Sequence, residues 1–180
     1  MNSNFNINSL IMKKIVVFIV FLPMISGIIN AQESKSNRKA GLSASVQGNQ
    51  LGIMVPLFVN QKFSIAPAFD VAYVEKVGTD FSIGLVPKFY FKTHGLAPFF
   101  DLRLASILYF PSKDNSDDDK TLDWLSGIGF GAEYFLSEHF SFSVEAQGNM
   151  TMSDESSWRF GNPDGINFNT ATAVTANIYF

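Results

Sequence analysis

From Lys39 onward the chain alternates apolar residues with polar or small ones at a period of two, in eight runs separated by turn residues. It shows no helical period and no exact repeat. The final run is the clearest. Phe168, Thr170, Thr172, Val174, Ala176, Ile178 and Phe180 share one face, and Asn167, Asn169, Ala171, Ala173, Thr175, Asn177 and Tyr179 share the other. Side chains of a strand point alternately to its two sides, so the two sides of this strand meet different surroundings.

The other runs follow the same scheme. Residues 39–47 set Leu42, Ala44 and Val46 against Gly41, Ser43 and Ser45. Residues 51–59 are ambiguous, because Met54 and Phe58 oppose Ile53, Val55 and Leu57. The third run sets Phe63, Ile65, Phe69, Val71 and Tyr73 against Ser64, Ala66, Ala68, Asp70 and Ala72. The fourth sets Phe81, Ile83, Leu85, Phe89 and Phe91 against Ser82, Gly84, Lys88 and Tyr90. The fifth sets Leu96, Phe100, Leu102, Leu104 and Leu108 against Asp101, Arg103 and Ala105. The sixth sets Leu122, Trp124, Ile128, Phe130, Ala132 and Tyr134 against Asp123, Gly127, Gly129, Gly131 and Glu133. The seventh sets Phe140, Phe142, Val144, Ala146, Met150 and Met152 against Ser141, Ser143, Glu145, Gln147, Asn149 and Thr151.

A strand ending on an aromatic at the carboxyl terminus resembles the closing strand of bacterial outer-membrane β-barrels. Over residues 39–180 the chain resembles the small outer-membrane barrel family, of OmpX type or the barrel half of OmpA-type proteins, in pattern rather than through a catalytic motif. The resemblance implies an all-β fold, an eight-stranded antiparallel up-and-down transmembrane β-barrel. It also implies that Phe180 and Ile178 form a signal read by the barrel assembly machinery of a Gram-negative envelope. Eight strands of about ten residues, rising ~3.3 Å per residue at a tilt of ~40°, cover the ~25 Å apolar band of such a membrane. An even strand count puts both termini on the periplasmic side and sends the long connections 111–120 and 153–165 outside. Pro56, Pro67, Pro87 and Pro98 each remove a ladder hydrogen bond, and local bulges are expected there.

Both lipocalin-like soluble barrels and membrane barrels alternate in this way. The polar face decides between them, because Gly127, Gly129, Gly131, Ala66, Ala68 and Ala72 suit a crowded lumen better than a water-exposed surface. Composition agrees: nineteen Phe against two Trp in 180 residues need burial in something apolar. A net charge of −3 speaks against a nucleic-acid partner, and the absence of cysteine excludes disulfides and thiolate metal sites. Residues 1–31 read as a secretory signal peptide. Lys13 and Lys14 precede the short apolar run from Ile15 to Leu22, Pro23 breaks it, and Ala31 stands before the expected cut; Met12 is an alternative start. Residues 32–38 read as a short polar lead-in, and residues 39–180 as the barrel.

Charges on the lumen face are the main chemical constellation: Asp70, Lys88, Asp101, Arg103, Glu133 and Glu145. Unpaired charges in a narrow lumen are costly, so Arg103 and Lys88 are expected to pair with carboxylates of that set. A short turn over Ser137, Glu138 and His139 places Glu145 opposite Gly131, where the missing side chain makes room. The network reads as a plug that fills the barrel, with a gate or proton path as the alternative. The two histidines, His94 and His139, both fall at predicted periplasmic turns, away from the outer rim where enzymatic barrels of this size carry catalysis. The acidic run 114–119 has oxygens for a divalent ion without the glycine and terminal Glu of an EF-hand loop, so no metal site and no cofactor is assigned. Trp158, Arg159 and Phe160 in the last loop form a candidate outer-loop interaction tip. The expectation is a non-catalytic integral outer-membrane barrel with a side-chain-filled lumen, acting in envelope integrity or surface adhesion. Its expected partners are outer-membrane lipid, lipopolysaccharide and an unidentified extracellular ligand. A narrow channel, a lipid-modifying enzyme and a soluble ligand binder stand behind it.

Overall fold

In the computed structural model residues 38–112 and 120–180 are described. The expected signal peptide, nearly all of the lead-in and the acidic run 114–119 lie outside them. The strands are β1 (Gly41–Gln47), β2 (Gln50–Met54), β3 (Leu57–Asn60), β4 (Phe63–Val74), β5 (Gly78–Tyr90), β6 (Leu96–Pro111), β7 (Thr121–Phe135), β8 (Phe140–Met152) and β9 (Ile166–Tyr179). Consecutive strands pair antiparallel from β4 to β9, and β9 pairs with β1. Both β2 and β3 pair with β4, β2 also pairs with β1, and an isolated bridge joins Ala40 to Leu57. Thus β2 and β3 are two halves of one strand interrupted at Val55 and Pro56. The ring closes as an eight-stranded antiparallel barrel, and no helix occurs among the described residues.

The interruption also explains how the barrel holds its prolines. A strand residue directs its N–H and C=O to the same neighbour, so a proline weakens one ladder only. The Pro67 carbonyl accepts from Val55 N–H at 3.0 Å, so the side of Pro67 lacking an N–H faces the interruption. The Pro98 carbonyl accepts from Phe91 N–H, just past the end of β5. Along β5 and β6 the pairing passes over Val86 and Pro87 without losing register. The expected bulges at Pro67, Pro87 and Pro98 are therefore replaced by ladder gaps, and the register slips instead between Phe58 and Asn60, beside Pro56.

One rim, the terminal end, carries Lys39 and Phe180, whose backbones meet at 3.1 Å, together with the short turns after β3, β5 and β7. The opposite rim, the loop end, carries the connections after β1, β4, β6 and β8. Outward side chains are apolar on every strand: Leu51, Ile53, Leu85, Leu104, Ile128, Val174 and Ile178 are all exposed. This resolves the second run, with Ile53, Val55 and Leu57 outside and Met54 buried inside. Near the terminal end a row of cross-strand partners, Phe63, Phe89, Phe100 and Phe130, stacks around four strands at centroid spacings of 4.4, 4.9 and 6.4 Å. Nearer the loop end Phe69, Phe81 and Phe110 form a second band. Aromatic bands bounding an apolar belt are the exterior of a barrel matched to a bilayer.

Candidate functional site

The lumen is filled in tiers. At the terminal end Tyr90, Tyr179 and Ser141 all donate to the fully buried Glu133 carboxyl, at 2.9, 2.6 and 2.6 Å. Three strands besides β7 thus converge on one side chain. Below them Arg38, the last residue of the lead-in, lies with its guanidinium carbon 3.8, 5.2 and 5.5 Å from the ring centroids of Phe135, Tyr179 and Phe58. It donates to the Thr93 carbonyl at 2.6 Å. Arg38 is only 5 % exposed, so this end of the barrel is closed by an arginine inside an aromatic cage.

The middle tier is ionic. Arg103 on β6 bonds Glu145 on β8 through Nη2 at 2.9 Å and Nε at 3.2 Å, and its Nε lies 3.7 Å from Asp101. Space for this cluster comes from Gly129. A methyl group there would sit 2.5 Å from Asp101 Oδ1 and 2.5 Å from Glu145 Oε1. Glu145 pairs in register with Gly131, which centres the β7–β8 turn on Glu138. Lys88 faces Asp101 across the β5–β6 ladder, but its Nζ rests 4.0 Å from the Phe99 ring centroid. Asp70 lies within electrostatic reach of Arg103 and the Gln50 amide.

Above the ionic tier is a cavity of about 80 Å³ bounded by Arg103 below and Arg159 above. Its walls include Asp70, Gln147 and Asn149. Gln147 Nε2 and Asn149 Oδ1, both buried, have no hydrogen-bond partner within the protein. Over this cavity the loop between β8 and β9 folds into the mouth. Asp123 on β7 is fully buried and accepts from Asp154 N–H at 2.8 Å, Ser157 Oγ at 2.9 Å and Arg159 Nε at 3.1 Å. The same arginine forks onto both oxygens of Asp80 on β5.

Of the six lumen charges read from sequence, the structure brings Asp101, Arg103 and Glu145 together, with Lys88 and Asp70 alongside. Glu133 stands apart and is held by hydroxyls instead of a cation. Of the outer-loop residues, Arg159 turns into the mouth, Phe160 is partly covered and Trp158 is 73 % exposed. Sequence reading missed Asp80, Asp123 and Arg38. Asp123 carried a signal, since it falls on the polar face of its strand, whereas Arg38 precedes the alternation. His94 and His139 lie at the terminal-end turns. His139 Nδ1 is 2.9 Å from the Tyr179 carbonyl and acts there as donor. Among the described residues no acid–histidine–hydroxyl constellation forms at the loop end, and no cluster of metal-ligating side chains occurs.

No protein-family model matches the sequence, and no curated protein matches it. Solved structures do match. The N-terminal β-barrel domain of Pseudomonas aeruginosa OprF is 16 % identical, with a TM-score of 0.57 over 78 % of this chain and 95 % of that one. Neisserial surface protein A is 14 % identical, with a TM-score of 0.57 over 78 % of this chain and 93 % of that one. At these identities the likeness is one of fold, and the fold is that of small outer-membrane barrels.

Proposed function

We propose that this chain is an integral outer-membrane β-barrel without catalytic activity, closed to solute flow, which serves the cell surface through its loop end. The carrying observation is the pairing of an apolar, aromatic-banded exterior with a lumen occluded twice over, by the Arg38 cage and by the Arg103–Glu145–Asp101 cluster. Only a bilayer gives so much outward Leu, Ile, Val and Phe an apolar surrounding. A narrow lumen cross-linked by both signs of charge leaves no continuous path for ions. In this reading both termini face the periplasm, lipid and lipopolysaccharide surround the barrel, and the assembly machinery inserts it. The loops after β6 and β8 face outward. A role in envelope integrity or adhesion follows from what remains on offer outside, which is a pinned loop carrying an exposed tryptophan.

The test is fractionation of cells expressing the full chain, with gel mobility of boiled and unboiled samples and planar-bilayer recording of the purified protein. The expected result is outer-membrane residence, a heat-modifiable band and at most rare, small openings. Recovery as a soluble periplasmic monomer would refute the membrane reading. Large steady conductance would move the narrow channel ahead of the surface barrel.

A further inference from the structure

Trp158 is the most exposed tryptophan of the chain, yet the residues on either side of it are anchored. Ser157 and Arg159 both bond the same buried carboxylate, Asp123, and Arg159 also bonds Asp80. The loop is further tied by Gly161 N–H to the Trp158 carbonyl at 3.0 Å and by Asp164 N–H to the Asp154 carbonyl at 3.1 Å. With its neighbours turned inward, Trp158 is carried on the outer side of a loop whose backbone these bonds hold. A large apolar ring exposed on a hydrogen-bonded loop is a favoured anchor of recognition.

Beside the indole is a pocket of about 330 Å³, lined by Val77, Asp80, Tyr109, Thr121, Ser156 and Ser157 together with Trp158 and Arg159. This volume lies at the small end of ligand sites and suits a guest of one or two rings. Its chemistry narrows the class. One aromatic face offers a stacking surface, while hydroxyls of Thr121 and Ser156 and the Asp80 carboxylate offer short polar contacts. The positive charge of Arg159 is already matched by two carboxylates, Asp80 and Asp123, which disfavours a phosphate, sulfate or carboxylate guest.

We infer that this rim pocket binds a neutral sugar ring, stacked on Trp158 and hydrogen-bonded at its edge by Asp80 and neighbouring hydroxyls. The inference rests on the surface-barrel reading and specifies the ligand class its loop end would take. The sugar has two possible sources, the core oligosaccharide of lipopolysaccharide in the same leaflet or a glycan outside the cell.

The test uses the full mature chain in nanodiscs with Trp124→Phe, so that Trp158 is the sole tryptophan and is excited selectively above the tyrosine band. Maltotriose and N-acetyllactosamine serve as neutral probes, glucose 6-phosphate and glucuronate as charged ones, and a purified, uncharged outer-core oligosaccharide of lipopolysaccharide distinguishes the source. Saturable change in Trp158 emission with a neutral probe is expected, weaker by at least tenfold with the charged ones. Calorimetry should show at least a tenfold loss in Trp158→Ala and a smaller loss in Trp158→Phe. Tightest binding to the core oligosaccharide would assign the source to the cell's own leaflet, and tightest binding to N-acetyllactosamine to an external glycan. No saturable binding of any neutral probe up to tens of millimolar, equal binding by Trp158→Ala, or preference for a charged probe would overturn the inference. Heat-modifiable mobility of the same preparation reads the barrel independently, so a failed sugar titration with intact heat modifiability removes the pocket and leaves the surface barrel standing.

Discussion

Glu133 and Asp123 stand on the same strand, both fully buried, and the barrel satisfies them by different means. Glu133, near the terminal end, takes three hydroxyl hydrogen bonds, and all three donors belong to strands: Tyr90 on β5, Ser141 on β8 and Tyr179 on β9. Asp123, at the loop end, takes its three from residues of one connection, Asp154, Ser157 and Arg159. A group satisfied by strands can be released only by unfolding the barrel. A group satisfied by a loop can be released by moving the loop. One alternating pattern thus builds a permanent closure at one end of the lumen and a detachable one at the other, with the ionic tier and the small cavity between them.

The strongest challenge to this contrast is Tyr179→Ala. It removes a buried ring from the Arg38 cage and a donor from Glu133, and we expect a loss of about 4 kcal/mol in urea unfolding from lipid vesicles. Tyr179→Phe keeps the ring and should cost only about 1 kcal/mol. If the two substitutions cost the same, the cage is not part of the closure.

Arg103→Ala comes next. It takes from Glu145 its hydrogen-bonded cation and leaves Asp101 with Lys88 alone, for an expected loss of about 3 kcal/mol. Channel openings should also become more frequent, although the Arg38 cage continues to close the terminal end. Porin-sized steady conductance from this single change would show that the ionic tier alone held the lumen shut.

Arg159→Ala should act locally. The pair with partly solvated Asp80 contributes little, but fully buried Asp123 loses its cation while keeping two hydrogen bonds, so the expected loss in global stability is about 2 kcal/mol. Backbone amides of residues 154–165 should nevertheless exchange at least tenfold faster, while amides of β7 beside Glu133 stay protected. Equal acceleration at both ends would erase the distinction between them.

The strands were legible because alternation, turn residues and small lumen positions all report on one geometry, the pleat of a half-buried sheet. The run containing Met54 and Phe58 was not legible, since both faces there are apolar and only its pairing with β4 shows which one meets the lumen. Pairing of charges was legible where register alone sets it, as for Glu145 opposite Gly131. It was not legible where the partner is an aromatic face, as for Lys88 over Phe99, or a set of hydroxyls, as for Glu133. Arg38 and Arg159 were beyond periodicity altogether. They sit in a lead-in and a loop, and what places them is a cage and a carboxylate pair built by residues far away in the chain.

The smallest expected effect on stability belongs to the residue that stands out most in the sequence. Phe180 follows Tyr179 directly, but its side chain is 70 % exposed on the outer wall, and its ties to the barrel are backbone bonds to Lys39 and Ala40. Replacing it by alanine keeps those bonds and removes a ring that is mostly exposed. The change in unfolding free energy should therefore stay within about 0.5 kcal/mol. If Phe180 is a recognition signal, Phe180→Ala should still reduce the amount of barrel inserted in cells, because the assembly machinery meets the strand before it is paired. Tyr179→Ala, matched for expression, should show the opposite balance, with stability falling more than insertion rate does. Measuring both variants for unfolding in vesicles and for insertion in cells separates a side chain that holds the folded barrel together from one that is read while it is being made. A loss of several kcal/mol in Phe180→Ala would place both terminal aromatics in the closure and end the distinction.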